Sequence, residues 1–146
     1  MKKILLTLAA IFSIGVFSVI ADNDRVINKS QLPVQAQEFI SAHFAGIDIT
    51  YAKEERDLLR SSYEVRLADG TTLEFSEKGK WEEVNCRFGE VPAAVVPAAI
   101  KNYIDNNFPG EKVLSIERDR NDYEVRLSNR LELKFDKDLN IYDIDD

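Results

Sequence analysis

The carboxylates near the carboxyl end of the sequence have the spacing of a metal-binding loop. Asp136, Asp138 and Asn140 form a D-x-D-x-N pattern, which opens the loops that coordinate calcium through oxygen atoms. Such loops need a glycine at the sixth position, where this sequence has Ile141, and a bidentate glutamate at the twelfth, which it lacks. The pattern therefore favours a solvated turn, with weak calcium binding as the alternative.

The sequence offers little for nucleophilic or acid-base chemistry. It contains one cysteine, Cys86, and one histidine, His43, which lie far apart in the chain. A nucleophilic thiol needs a base and a group that orients the base, so we interpret Cys86 as a small buried residue. A metal site needs further histidine or cysteine ligands, so we interpret His43 as a polar residue near a helix end. We therefore predict a non-catalytic protein that needs no cofactor.

The composition is that of a folded acidic protein. Of 146 residues, 45% are hydrophobic and 31% are charged, and the formal net charge is -7. These proportions are typical of one ordinary globular domain or two very small ones, and they exclude a collagen-like or disordered chain. A protein of this charge repels a phosphate backbone, so nucleic acid is not an expected partner.

The amino-terminal segment has the pattern of a secretory signal peptide. Lys2 and Lys3 precede an apolar run over residues 4–20, and Val19-Ile20-Ala21 supplies a cleavage site before a polar stretch. We predict a signal peptide over residues 1–21 and a mature domain over residues 22–146 that is periplasmic or secreted. An uncleaved membrane anchor is the alternative, but the apolar run is at the lower length limit for a span. No stable membrane anchor is expected after cleavage.

The mature sequence contains an internal repeat. Residues 32–46 align with residues 96–110, and Tyr-Glu-Val-Arg-Leu occurs at both 63–67 and 123–127. We divide the domain into two copies, about residues 30–87 and 92–146. Each copy begins with an apolar stripe at helical spacing, formed by Ala36, Phe39, Ile40 and Phe44 in one and by Ile100, Tyr103, Ile104 and Phe108 in the other.

Strand patterns follow each predicted helix. Apolar residues alternate with charged ones through residues 63–67, 73–75, 123–127 and 131–135, and Asp69-Gly70 marks a hairpin turn. Weaker patterns on either side of these runs give four strands per copy. The predicted fold class is α+β, a tandem repeat of one helix followed by a four-stranded antiparallel meander, with both helices packed on one face of the sheet. A unit of about 60 residues is marginally stable alone, so the two units should either share one sheet or pack closely together.

The strand alternation places polar side chains on the sheet face away from the helices. Arginine and tryptophan contribute most of the binding energy in many protein interfaces. Parity relative to Val84 puts Trp81 on this open face as well, unless a bulge or bend turns the indole into the core, which is the alternative. The predicted partner-binding residues are Trp81, Arg66, Arg126, Glu64, Glu124 and Glu83.

These motifs resemble a known family. A helix ending in Phe-Ala-Gly or Phe-Pro-Gly, then Tyr-Glu-Val-Arg-Leu, Asp-Gly-Thr-Thr-Leu-Glu-Phe and Gly-Lys-Trp-Glu-Glu-Val, is similar to the PepSY-like domain of secreted bacterial proteins, whose fold is similar to that of beta-lactamase inhibitor protein. The resemblance covers the mature chain in two copies and implies a non-catalytic periplasmic domain that binds or inhibits a partner. This chain lacks the paired cysteines of that inhibitor, so the inhibitor's loops and targets are not carried over.

The sequence thus predicts a binding module of the cell envelope. We expect the module to engage an envelope protein through the open face, in the manner of an inhibitor. The alternative is an envelope sensor that binds a small ligand or calcium at the acidic turn around Asp136, Asp138 and Asn140.

Overall fold

The computed structural model describes residues 23–146 of the chain, and the predicted signal peptide lies outside these residues. A short 3-10 turn, Lys29–Gln31, precedes the first of two α-helices. Neither helix of the described chain has the length and hydropathy that a membrane span requires. The elements are β1 (Arg25–Ile27), α1 (Val34–His43), β2 (Ile49–Arg56), β3 (Ser61–Leu67), β4 (Thr72–Ser76), β5 (Trp81–Asn85), α2 (Ala98–Asn107), β6 (Val113–Arg118), β7 (Asp122–Leu127), β8 (Glu132–Asp136) and β9 (Ile141–Asp145).

The strands form one antiparallel sheet in which they lie in chain order, from β1 at one edge to β9 at the other. Antiparallel neighbours can be joined by tight turns, and most connections in the sheet are of this kind. The predicted Asp69-Gly70 turn joins β3 to β4, with Gly70 at a φ of 88°. The two longer connections contain the helices, with α1 between β1 and β2 and α2 between β5 and β6.

Both helices pack on the same face of the sheet. Phe39 of α1 meets Phe75 of β4 edge to face, with ring centroids 5.7 Å apart, and Tyr103 of α2 meets Phe135 of β8 in the same way at 5.6 Å. The buried side chains form one continuous core, which includes Ala36, Ile40, Val65, Leu73, Val84, Ile100, Ile104, Ile116, Val125 and Leu133. The opposite face carries neither helix and is the open face of the sheet.

The predicted fold class is wrong. The described chain is mostly β, one nine-stranded antiparallel sheet with two helices, and not a tandem of two α+β units that each contain a helix and a four-stranded meander. A separate four-stranded unit would leave the backbone groups of both its edge strands unpaired. Instead β5 pairs with β6, and β1 pairs with β2. The prediction missed β1 because three residues are too few to show an alternating pattern.

Candidate partner-binding face

A row of glutamate side chains crosses the open face from strand to strand. Cross-strand pairing places Glu64 of β3 beside Glu74 of β4, and Glu74 beside Glu83 of β5. The pairing continues from Glu83 to Glu117 of β6, and from Glu117 to Glu124 of β7. Directly opposed residues have Cβ atoms about 5 Å apart, so five acidic groups are crowded on five adjacent strands. We call these five residues the glutamate row.

Lysines flank the glutamate row at both ends. Lys53 of β2 pairs with Glu64, and its Nζ lies 3.6 Å from Glu64 Oε2. Lys134 of β8 pairs with Glu124, but its Nζ forms ion pairs at 3.5 and 2.7 Å with two aspartates of β9. Within residues 23–146, no lysine or arginine nitrogen lies within 4.0 Å of the other four carboxylates of the row. The middle of the row therefore carries uncompensated negative charge.

Burial and crowding raise the pKa values of three acids of the row. Burial, followed by the negative charge of Glu83, raises the pKa of Glu74 to about 7. Burial, followed by the negative charge of Glu83, also raises the pKa of Glu117. Burial, followed by a side-chain hydrogen bond with Glu132, raises the pKa of Glu124. Like charges directly opposite each other destabilise a sheet, so the row lowers the stability of the fold. Perturbed acids of this kind concentrate at functional sites.

Two arginines lie beside the glutamate row on the open face. Cross-strand pairing places Arg66 next to Tyr51 and Arg126 next to Glu132, and both arginines are exposed. Arg126 Nη2 lies 3.0 Å from Glu132 Oε2. Tyr51 Oη donates a 2.6 Å hydrogen bond to Glu64 Oε1. Tyr51, the cross-strand neighbour of Arg66, is therefore bonded to the first glutamate of the row. Five of the six predicted partner-binding residues therefore share one face.

Trp81 is the exception, and its predicted place on the open face is wrong. β5 contains a bulge, because Glu83 pairs with Glu74 whereas Trp81 pairs with Phe75, which leaves one extra residue in β5. An extra residue reverses the alternation of side chains along a strand. Trp81 therefore points to the helix side, where its ring centroid lies 6.2 Å from that of Phe39, and it packs half-buried against the core.

The acidic turn between β8 and β9 uses its first carboxylate to hold its own backbone. Asp136 Oδ1 accepts hydrogen bonds from the backbone N–H groups of Asn140 and Asp138, each at 2.9 Å. The bond from Asn140 is the main cause that lowers the pKa of Asp136. In the part of the chain that the structure describes, no three Asp, Glu, His or Cys side chains are grouped to hold one metal ion. Asp138 and Asn140 are exposed in this hydrogen-bonded turn.

Cys86 and His43 lie in different places, one in the core and one at the end of α1. Cys86 is buried, and burial raises the pKa of its thiol, which accepts a hydrogen bond from Thr71 Oγ1 at 3.8 Å. A raised pKa lowers the thiolate fraction on which cysteine reactivity depends. His43 ends α1, and its ring lies 4.7 Å from that of Phe39. Cys86 is thus a buried residue and His43 lies at a helix end, as the sequence predicts.

A family profile described as "Putative beta-lactamase-inhibitor-like, PepSY-like" matches residues 61–143, more than half of the chain. The chain belongs to the PepSY-like family. The matched residues run from β3 into β9 and contain the whole glutamate row. Among curated proteins, none matches this PepSY-like chain. The division of the domain into two copies stays a prediction.

Solved structures of other periplasmic proteins are similar to the PepSY-like chain. One from Bacteroides vulgatus, described as a "putative periplasmic protein" of the DUF2874 family, is 51% identical, with a TM-score of 0.84, and covers 86% of this chain and 99% of its own. Another from Bacteroides thetaiotaomicron, described as a "putative calcium-regulated periplasmic protein", is 51% identical, with a TM-score of 0.83, and covers 84% of this chain and 97% of its own. A further Bacteroides vulgatus protein, described as a "putative periplasmic protein of unknown function", is 42% identical, with a TM-score of 0.80, and covers 84% of this chain and 99% of its own. These relatives confirm the predicted localisation, and the protein is periplasmic.

The row also contains two residues outside the predicted partner-binding set, Glu74 and Glu117. Glu74 lies between Leu73 and Phe75, and Glu117 follows Ile116, so alternation with a buried neighbour places each on the open face. The signal for each residue was therefore present in the sequence of the PepSY-like chain. The continuity of the row was not, because it depends on the pairing of β5 with β6 across a long connection.

Proposed function

We propose that this periplasmic PepSY-like protein is a non-catalytic module that binds a positively charged segment of a partner protein through its open face. The single observation that carries the proposal is the glutamate row. Four of its carboxylates have no lysine or arginine nitrogen within 4.0 Å in the described chain. A face that keeps this arrangement is suited to a partner that supplies the missing cations.

The expected gain on binding follows from the charges in the row. A partner lysine or arginine placed among the carboxylates would separate like charges and form charge-assisted hydrogen bonds, each worth about 1.5–3 kcal/mol. Glu74 and Glu117, whose pKa values are raised in the free protein, would release any bound proton when such a cation arrives. Binding should therefore strengthen as the pH rises through the titration of Glu74 and Glu117.

Arg66 and Arg126 favour a defined orientation of the partner. Both are exposed on the open face beside the acidic row, so acids of the partner would meet these arginines while its bases meet the row. Complementary charge patterns of this kind speed association and select the correct partner. An enzyme whose basic surface is covered by this face is one form of such a partner, in keeping with the inhibitor-like description of the family.

The test compares two variants with the same change in charge. The row variant carries Glu74→Gln, Glu83→Gln and Glu117→Gln, and the control variant carries three substitutions of exposed acids outside the row, Glu38→Gln, Glu77→Gln and Glu90→Gln. Each protein is titrated with a ten-lysine peptide in a calorimeter at low and at physiological salt. The same proteins are then used to capture and cross-link partners from a periplasmic extract.

The expected result is that the wild type and the control variant bind the peptide and retain the same extract proteins. The row variant should bind the peptide at least about tenfold more weakly, which corresponds to about 1.4 kcal/mol. Equal binding by the row variant and the control variant would show that net charge alone attracts cations, and it would reject the open face as the site.

Calcium is the second candidate, because a relative with 51% identity is described as calcium-regulated. In this chain the predicted residues for calcium are Asp136, Asp138 and Asn140, although Asp136 already accepts two backbone hydrogen bonds. Titration with millimolar calcium should then raise the melting temperature of the wild type and not that of Asp138→Asn. No rise in the wild type would reject calcium, and an equal rise in both proteins would reject the turn as its site.

A further inference from the structure

A cleft lies on the helix-bearing side of the sheet, away from the open face. It has a volume of about 560 Å³, which falls within the range of small-molecule sites, about 300–1,000 Å³. Small side chains from the segment before α2 leave the space open. Its lining includes Trp81, Ala93, Ala98, Lys101, Arg118 and Tyr123. Strands β5, β6 and β7 supply the floor, and α2 supplies one wall.

Two contacts with Trp81 hold Arg118 in this cleft. Its guanidinium carbon lies 4.0 Å from the centroid of the Trp81 ring, and its Nε donates a 2.6 Å hydrogen bond to the backbone oxygen of Trp81. On the other side, Arg118 pairs across the strands with Tyr123 of β7. Stacking on an aromatic face leaves the edge of a guanidinium available for planar hydrogen bonding. The side chain is therefore oriented before any ligand arrives.

The charge of Arg118 has no counterion in the described part of the protein. Three lysine or arginine residues there are half-buried rather than exposed, namely Lys53, Lys134 and Arg118. Lys53 Nζ lies 2.6 Å from a carboxylate oxygen of Glu55, and Lys134 Nζ lies 2.7 Å from one of Asp145. No carboxylate of residues 23–146 lies within 4.0 Å of Arg118. Arg118 thus differs from the other two half-buried cations, because it is unpaired although the protein is acidic.

We propose that this cleft binds a small organic carboxylate whose anionic group is held by Arg118. A planar carboxylate matches the fork of donors on a guanidinium and forms two parallel hydrogen bonds with it. The apolar body of the ligand lies against the alanines before and at the start of α2 and against Tyr123. Lys101 and Asp105 also line this cleft, and they neutralise each other in an ion pair at 3.0 Å, so Arg118 supplies the positive charge that is left for the ligand. This inference does not depend on the open face.

The test uses Trp81 as the reporter, because it is the only tryptophan of the chain and lies in the cleft. The indole N–H signal of Trp81 is followed by NMR while benzoate is added, and then while its uncharged counterpart benzamide is added. A saturable shift with benzoate is expected. Benzamide should bind about tenfold more weakly or not at all, because a hydrogen bond to an ionised group is stronger than one to a neutral group by roughly that factor.

Two substitutions at Arg118 and one control locate the site. Arg118→Lys keeps the charge but loses the planar fork, and it should weaken benzoate binding about tenfold. Arg118→Gln should abolish the shift. Arg120→Gln removes an exposed arginine from the adjacent hairpin and should leave the benzoate affinity unchanged.

Each outcome of the test decides the proposal. No saturable shift in the wild type, or equal affinity for benzoate and benzamide, overturns it without any variant. Unchanged benzoate affinity in Arg118→Lys and in Arg118→Gln assigns the shift to another site and also overturns it. Because Arg118→Lys retains the stem and the charge, it serves as the decisive variant if Arg118→Gln does not fold.

Discussion

Replacing Glu74 by glutamine should stabilise the protein at alkaline pH and leave its stability unchanged at acidic pH. Burial and the neighbouring carboxylates raise the pKa of Glu74 from an ordinary value of 4.5 to about 7. The folded protein therefore holds the proton more tightly than the unfolded chain does. Stability from this site is fully present below the unfolded pKa of 4.5 and is lost as the pH rises through about 7.

The size of the effect follows from the difference between the two pKa values. Each pKa unit corresponds to about 1.4 kcal/mol of unfolding free energy, so the shift at Glu74 gives about 3 kcal/mol as an upper value. Solvent screening at this half-buried site reduces the expected loss to about 2 kcal/mol at pH 8. Glutamine has nearly the same shape and no charge, so Glu74→Gln should recover that amount at pH 8 and nothing at pH 4.

Urea unfolding followed by tryptophan fluorescence measures this difference at both pH values. Glu77→Gln is the control, because it makes the same change in net charge at an exposed position of the turn between β4 and β5. It should alter the unfolding free energy by less than about 0.5 kcal/mol. The reasoning is refuted if Glu74→Gln gains no more than Glu77→Gln at pH 8, or if its gain is the same at both pH values.

Three further predictions concern packing and turns, each checked by the change in unfolding free energy. Trp81→Ala should cost about 2–3 kcal/mol, somewhat less than the loss of a fully buried tryptophan, and a cost under about 1 kcal/mol would place the indole on the surface. Arg130→Gly should stabilise the folded protein by about 0.5 kcal/mol. Arg130 has a φ of 77°, and the strain that glycine relieves at this left-handed φ is slightly larger than the conformational entropy that glycine loses on folding. A loss of stability would contradict this prediction. Gly79→Ala should cost about 2 kcal/mol or more, because Gly79 has a φ of 85° and its new Cβ would lie 2.7 Å from Pro33 Cβ and 3.0 Å from Ala36 N. Wild-type stability would contradict both the left-handed strain at residue 79 and the close contact with the start of α1.

The local elements could be predicted because their signals lie within a few residues. Alternation around residues 63–67 and 123–127 predicted β3 and β7, and the apolar stripes predicted α1 and α2. The fold class was wrong because the sequence contains no local signal for how β5 meets β6. That pairing follows a connection that includes α2, and it fuses all the strands into one sheet.

The candidate site could be predicted in part for the same reason. Side-chain parity placed Arg66, Arg126 and the predicted glutamates on the open face correctly. Parity failed at Trp81, because one extra residue in β5 reverses the alternation and bulges have no reliable signature in the sequence. The cleft around Arg118 was not predicted, since its residues come from separate strands and from the segment before α2.

A cationic partner of this protein should bind at the glutamate row. The most direct measurement is carboxyl-detected NMR of the protein with carbon-13-labelled glutamate, titrated with a ten-lysine peptide. The carboxyl signals of Glu74, Glu83 and Glu117 should shift first and saturate together, while those of the exposed Glu38 and Glu90 should move little. Equal shifts at all exposed acids, or shifts centred on the helix-bearing side, would contradict it.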